Sequence, residues 1–145
     1  LSDKSVQISM NNVSQIETYD DTLIMNTGSP HCVVLKNDID TLEIIKEAAK
    51  IRYAEPFKRE GINVNYIATN ESGELQIRTY ERGVNAETGS CGSGCIASFY
   101  HLYNKTTKVS NRCNAKFQKC GSMIVYIDED LNPKYHLGGD VDKLN

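Results

Sequence analysis

The sequence predicts an α+β domain, a strand-rich sheet wrapped around one central buried helix. Three observations carry this. Short segments alternate apolar and polar residues with the period of a half-buried strand, most plainly Val6-Gln7-Ile8-Ser9-Met10. One stretch, from Gly92 or Ser93 to Asn104, is apolar nearly all round, with only Ser98 and His101 among Ile96, Ala97, Phe99, Tyr100, Leu102 and Tyr103. A helix without a polar stripe is buried on most sides. Finally, 145 residues at 39 % hydrophobic content suit one domain, 1–145, whose core needs no metal or disulfide staple.

The elements follow in order. After the strand at Val6–Met10, Thr22–Asn26 and Cys32–Lys36 read as strands flanking the turn cluster Thr27-Gly28-Ser29-Pro30-His31. Asp40–Lys50 is the clearest amphipathic helix. Asp40 is placed to cap it, with Glu43 completing a capping box and Leu42, Ile45 and Ala49, joined by Ile44 and Ala48, forming its apolar face. Tyr53–Gly61 is a loop. Asn63–Thr69 and Glu74–Tyr80 form a hairpin through Asn70-Glu71-Ser72-Gly73. Beyond the buried helix come short strands at Lys116–Gln118, Met123–Asp128 and Lys134–Leu137, and Gly138-Gly139-Asp140 opens a final loop.

The net charge of −3, with acids and bases interspersed, gives no electrostatic footprint for nucleic acid or an anionic membrane. No apolar run approaches the ~18 residues of a membrane span. The start Leu1-Ser2-Asp3-Lys4 does not resemble a signal peptide and lacks Met, so the chain is expected to be a piece of a longer protein. Five cysteines, an odd number, imply no disulfide framework and suit a reduced, cytoplasmic protein with free thiols.

The chemistry concentrates in the segment from Glu81 to Cys95, which leads from a strand into the buried helix. Gly83, Gly89, Gly92 and Gly94 let its backbone turn tightly and approach a ligand. The first turn of a helix leaves N–H groups unpaired, and its dipole favours an anion such as a carboxylate. Cys91 stands at that start. A helix N-terminus lowers a thiol's pKa, and a thiol poised near neutrality both takes and gives a proton. That suits chemistry at the carbon beside a carboxylate. Position alone fits a small residue packed at a helix start as well, and less readily a nucleophile with His31 as its base. Half of a metal site fits less well, because Cys113 and Cys120 are too far apart in sequence to supply the second close pair.

Three ordered blocks of these residues resemble the diaminopimelate epimerases. Gly28-Ser29-Pro30-His31 is similar to that family's Gly-Asn-Pro-His turn, and Gly61-Ile62-Asn63-Val64-Asn65-Tyr66 to its Gly-x-Asn-Val-Asn-Phe strand. Glu81-Arg82-Gly83, followed by Glu87-Thr88-x-x-Cys91-Gly92-Ser93-Gly94, is similar to its catalytic signature. The resemblance covers the whole chain but only the family's C-terminal half. It implies a mixed, mostly antiparallel sheet or barrel around a central helix, and a site in the cleft between two such halves. There one thiolate removes the α-proton and a second thiol, from the other half, returns it to the opposite face, without pyridoxal or metal.

Carried across, the resemblance makes Cys91 the catalytic thiol of this half, with His31 and Glu81 also in the catalytic set. Gly92 and Ser93 would hold the reacting carboxylate through their backbone N–H groups. Asn63, Glu81, Arg82 and Ser29 would bind substrate, the arginine gripping a distal carboxylate. Two departures bear on the substrate. Ser29 replaces the family's asparagine, and Val84-Asn85-Ala86 lengthens the Glu81-to-Cys91 spacing by one residue over many members. Racemases of proline, hydroxyproline and histidine on the same fold therefore stay open. The implied partners are a small amino-acid substrate and an absent N-terminal half, with a homodimer left open. The alternative classes are a non-catalytic fragment and a cysteine hydrolase acylated at Cys91. Cys32, Cys113 and Cys120 read as packing or surface thiols.

Overall fold

A computed structural model describes residues 5–10, 13–19, 21–89, 92–105, 112–117, 122–127 and 135–140. Among these, the first strands are β1 (Ser5–Met10), β2 (Ser14–Tyr19), β3 (Thr22–Asn26) and β4 (Pro30–Leu35). Helix α1 (Ile44–Arg52) follows, then β5 (Asn63–Thr69), β6 (Leu75–Glu81) and β7 (Ala86–Thr88). Helix α2 (Gly92–Lys105) leads into β8 (Arg112–Phe117), β9 (Ser122–Ile127) and β10 (Tyr135–Asp140). One sheet runs β1-β10-β9-β8-β6-β5-β4-β3-β2, and β7 pairs with β6 off this path. The β4–β5 and β6–β8 pairs are parallel and the others antiparallel. The sheet is thus mixed and mostly antiparallel, as expected, and curled with β1 and β2 at its two ends.

Helix α2 packs against β3, β4, β5, β6, β9 and β10, strands drawn from across the sheet. Its apolar residues Ile96, Ala97, Phe99 and Leu102 are buried, and so are Ser98 and His101, the two that interrupt the apolar surface. The helix buried all round is therefore the axis on which the sheet curls. Strand alternation supplies the matching wall, with Leu23, Met25, Val33, Ile67, Leu75 and Ile77 in one cluster with the helix. The opposite faces of β4, β5 and β6 carry Cys32, Val64, Tyr66, Ala68 and Tyr80, which pack with Ile44 and Ala48 of α1 in a second cluster. With a helix over each face, β5 is buried from Asn63 through Ala68.

Four features differ from the sequence reading. Helix α1 begins at Ile44 after Glu43, and no side chain caps it. Asp40 instead lies in an Asx turn, where its own N–H donates to Asp38 Oδ1 at 2.8 Å. The buried face of α1 is Ile44 and Ala48, while Ile45 is 58 % exposed. The later start shifts which residues meet the sheet, because i and i+4 share a face. Strands β2 and β7 were not anticipated: β7 is short and ringed by turn residues, and β2 shows a register irregularity against β3. Gly138, Gly139 and Asp140 are not a loop but the end of β10, opposite Gln7, Val6 and Ser5. A ladder with a strand from the far end of the chain outweighs the weak strand preference of glycine.

Candidate active site at the start of the buried helix

Cys91 lies outside the described residues, as does Ser90. The structure describes the first turn of α2, which opens with Gly92 and Ser93, and the loops packed against it. Both residues are half-buried. The turn between β3 and β4 is fastened to them. Thr27 Oγ1 donates to the Ser93 carbonyl at 2.8 Å. The Ser29 hydroxyl lies 3.4 Å from that of Ser93. His31, fully buried on β4, brings its Nε2 to 2.9 Å from Ser93 Oγ and 3.2 Å from Ser29 Oγ.

The second block enters through Asn63, the first residue of β5, which is opposite His31 in the parallel ladder. Its amide is a clamp between two loops. Nδ2 donates to the Pro30 carbonyl at 3.0 Å and to Ser29 Oγ at 3.2 Å, and Oδ1 accepts the backbone N–H of Arg82 at 2.8 Å. The same amide thus braces the Ser29 turn and the turn that presents Arg82. Gly61, two residues earlier, has φ +80°, and a Cβ there would stand 3.0 Å from the side chains of Arg52 and Arg82. Only glycine lets these arginines cross the backbone at that point.

The third block surrounds the rest. Glu81 ends β6 half-buried, on the strand face shared with Thr79, and its carbonyl accepts the Asn85 N–H at 2.8 Å to close the turn. Arg82 is exposed at that turn. Its charge nonetheless reaches His31. Burial, and then the Arg82 guanidinium, hold the His31 imidazole down to about 4, so it is neutral at physiological pH. Segments far apart in sequence therefore meet in one place: Ser29, His31, Asn63, Arg82 and Ser93 are linked by hydrogen bonds or by charge. Among the described residues, no hydrogen bond or ion pair joins the Glu81 carboxylate to them. Of the other cysteines, Cys32 is buried with its thiol pushed up to about 12 by burial, and Cys95 sits in the core beside α2's apolar residues. Cys32 is thus a packing thiol, while Cys120 and the side chain of Cys113 lie outside the described residues.

Sequence reasoning missed Asn65, Thr79 and Arg78. Asn65 Nδ2 contacts His31 Nδ1 at 2.8 Å, and Thr79 Oγ1 donates to Asn65 Oδ1 at 2.9 Å. The signal was available. Asn65 shares its strand face with Asn63 and Ile67, toward the buried helix, and a buried amide there demands partners. Arg78 forms a buried bidentate pair with Glu87, Nε to Oε1 at 2.7 Å and Nη2 to Oε2 at 3.0 Å. Its Nη1 donates to the carbonyls of Ile39 and Leu42, both at 2.8 Å.

The depressed His31 pKa has a measurable consequence. Between about pH 6.5 and 4 the unfolded chain binds a proton at His31 that the native chain refuses. Stability from this group is therefore complete above pH 6.5 and is lost as pH falls toward 4. The loss is of the order of 3 kcal/mol, since each tenfold is worth about 1.4. Urea unfolding at pH 7 and pH 4 is expected to show the wild type losing that much more than His31→Gln. Equal losses in both proteins would show that His31 is not held neutral.

The model of the family described as diaminopimelate epimerase matches residues 23–141 of this chain. Diaminopimelate epimerases from Hydrogenobaculum sp. and Chlamydia muridarum are 37 % and 38 % identical to it over 122 and 126 residues. Those alignments cover 83 % and 87 % of this chain, but 43 % and 46 % of the two relatives. The chain thus spans less than half the length of these relatives. Among solved structures, a probable proline racemase from Agrobacterium radiobacter superposes with TM-score 0.60 at 11 % identity, over 94 % of this chain and 51 % of that one. A phenazine biosynthesis PhzF-family protein from Enterococcus faecalis gives TM-score 0.56 at 13 % identity, over 85 % and 40 %. At such identities these two share the fold.

Proposed function

The chain belongs to the diaminopimelate epimerase family, and from that premise we propose that it is the C-terminal half of a two-base amino-acid epimerase interconverting diastereomers of diaminopimelate. The observation that carries this reading is that Ser29 and His31 meet Ser93 in the first turn of α2, while Asn63 ties Ser29 to the Arg82 backbone. In this reading the backbone N–H groups of Gly92 and Ser93 hold the α-carboxylate. They also stabilise the negative charge that spreads onto it as the α-proton leaves, a preorganised donor being worth about 10²–10³ in rate. The Cys91 thiolate takes that proton from one face. A thiol from the other half delivers a proton to the opposite face, inverting the centre. Arg82 grips the distal carboxylate, with Glu81 beside it to meet the distal ammonium. The work falls to thiols and calls for no cofactor. The reduced thiols it needs suit a cytoplasmic setting.

One thiol reaches one face of the substrate, and an open half-cleft does not exclude water. The 145-residue chain alone is therefore expected to give negligible inversion. Incubation in heavy water with LL- or meso-diaminopimelate, following α-deuterium and stereochemistry, tests this. The longer protein that contains the chain is expected to invert the centre with deuterium incorporation, and the chain alone is not. Inversion by the isolated chain would overturn the two-half reading. Inversion of proline or histidine in preference to diaminopimelate would move the substrate while leaving the chemistry, and Ser29 is the residue whose departure makes that comparison informative.

A further inference from the structure

We propose that Asn65 and Thr79 are positioning residues that fix His31 as a hydrogen-bond donor toward the start of α2, so that this edge of the site receives an acceptor and cannot take up a proton. The three side chains lie on adjacent strands, β4, β5 and β6, on the face turned to α2. Thr79 stands directly opposite Asn65 in the β5–β6 ladder. All three are at most 1 % exposed, so water does not compete for their hydrogen bonds.

The direction of the relay follows from how the Asn65 amide is placed. Its Oδ1 accepts from Thr79 Oγ1 at 2.9 Å, and its Nδ2 faces His31. An amide nitrogen has only hydrogens to offer. The His31 Nδ1 at 2.8 Å must therefore be the lone-pair nitrogen, and in a neutral imidazole the proton then sits on Nε2. That Nε2–H points at Ser93 Oγ, 2.9 Å away, with Ser29 Oγ at 3.2 Å.

Two consequences follow. His31 does not act as a general base toward a nucleophile at the start of α2, because its outward nitrogen already carries the proton. This counts against a cysteine hydrolase built on His31. Second, and resting on the epimerase reading, the His31 Nε2–H adds to the donors of the first helical turn. Through Ser93 it polarises the corner where a substrate carboxylate would sit. Asn65 and Thr79 touch no substrate; they act through the tautomer.

The tautomer is directly observable in the 145-residue chain. Long-range 1H–15N correlation spectra at neutral pH distinguish protonated from unprotonated imidazole nitrogens. With three histidines in the chain, the His31 signals are identified by their loss in His31→Gln. The expected result is an unprotonated Nδ1 and a protonated Nε2. Asn65→Asp, whose carboxylate only accepts, is expected to move the proton to Nδ1. Thr79→Val is expected to give a mixture that Thr79→Ser restores to the wild-type tautomer. A protonated Nδ1 in the wild type overturns the proposal, as does an unchanged tautomer in folded Asn65→Asp. The wild-type spectrum decides even where that variant fails to fold. Because no substrate enters the measurement, its outcome is separate from the heavy-water assay, and either reading can fail while the other stands.

Discussion

Glu87→Gln is expected to destabilise the chain by about 3–5 kcal/mol, the range for breaking one partner of a buried ion pair. The side chains of Arg78 and Glu87 are only 10 % and 8 % exposed. Two parallel N–H to oxygen bonds join them, and both the hydrogen bond and the charge of Glu87 raise the Arg78 pKa. Removing the carboxylate leaves a largely buried guanidinium with the carbonyls of Ile39 and Leu42 and the charge of Asp40. The cost is expected to spread, because the pair joins β6 to β7 and ties both to the segment that enters α1. Strand β7 is the last strand before α2 in the chain, so the glutamate of the Glu87-Thr88 signature has a structural duty: it holds that strand to β6. A double change, Arg78→Met with Glu87→Leu, removes both charges and is expected to recover much of the loss, since replacing a buried pair by apolar groups is often near neutral. Chemical unfolding of the two variants decides the matter. A single variant within about 0.5 kcal/mol of wild type would mean that the pair is a bystander.

Cys91→Ala is expected to remove inversion by the longer protein, lowering its rate by at least about 10²–10⁴-fold, the contribution of a positioned acid or base. Circular dichroism of Cys91→Ala is expected to match the wild type, which separates loss of chemistry from loss of fold. Cys91→Ser keeps size and hydrogen bonding but raises the acid's pKa far above neutrality, and is expected to be nearly as inactive. The informative measurement is the deuterium assay run from each diastereomer separately. Loss of one thiol of a two-base pair abolishes inversion from both directions, whereas a nucleophilic cysteine would instead be seen as a covalent adduct by mass. Retention of full inversion in Cys91→Ala would end the two-base reading of this chain.

The two variants test different layers of one signature. Glu87 and Asn63 lie in blocks chosen by their resemblance to a catalytic family, and in the structure both brace backbone. Arg82, from one of the same blocks, is left exposed, where a ligand can reach it. A sequence motif does not separate these duties, because a residue that holds a loop and one that touches a substrate are constrained at the same spacing.

By itself the sequence determined the helix that organises the molecule. The apolar surface of α2, uninterrupted except at Ser98 and His101, has nowhere to go but inside a curled sheet, and the buried residues of β3 and β5 alternate or run on as that demands. It also picked out three blocks, Gly28-Ser29-Pro30-His31, Gly61 to Tyr66 and Glu81 to Gly94, whose described residues Ser29, His31, Asn63, Arg82 and Ser93 meet at the start of α2. Only the tertiary structure decided how they are joined. The start of α1, the pairing of Gly138-Gly139-Asp140 with β1, and the strand β7 are set by ladders and packing from distant parts of the chain, which local propensity does not contain. The same holds for the line from Thr79 through Asn65 to His31: its members are scattered along the sequence and become one hydrogen-bonded unit only when β4, β5 and β6 lie side by side with these three residues on the face turned to α2.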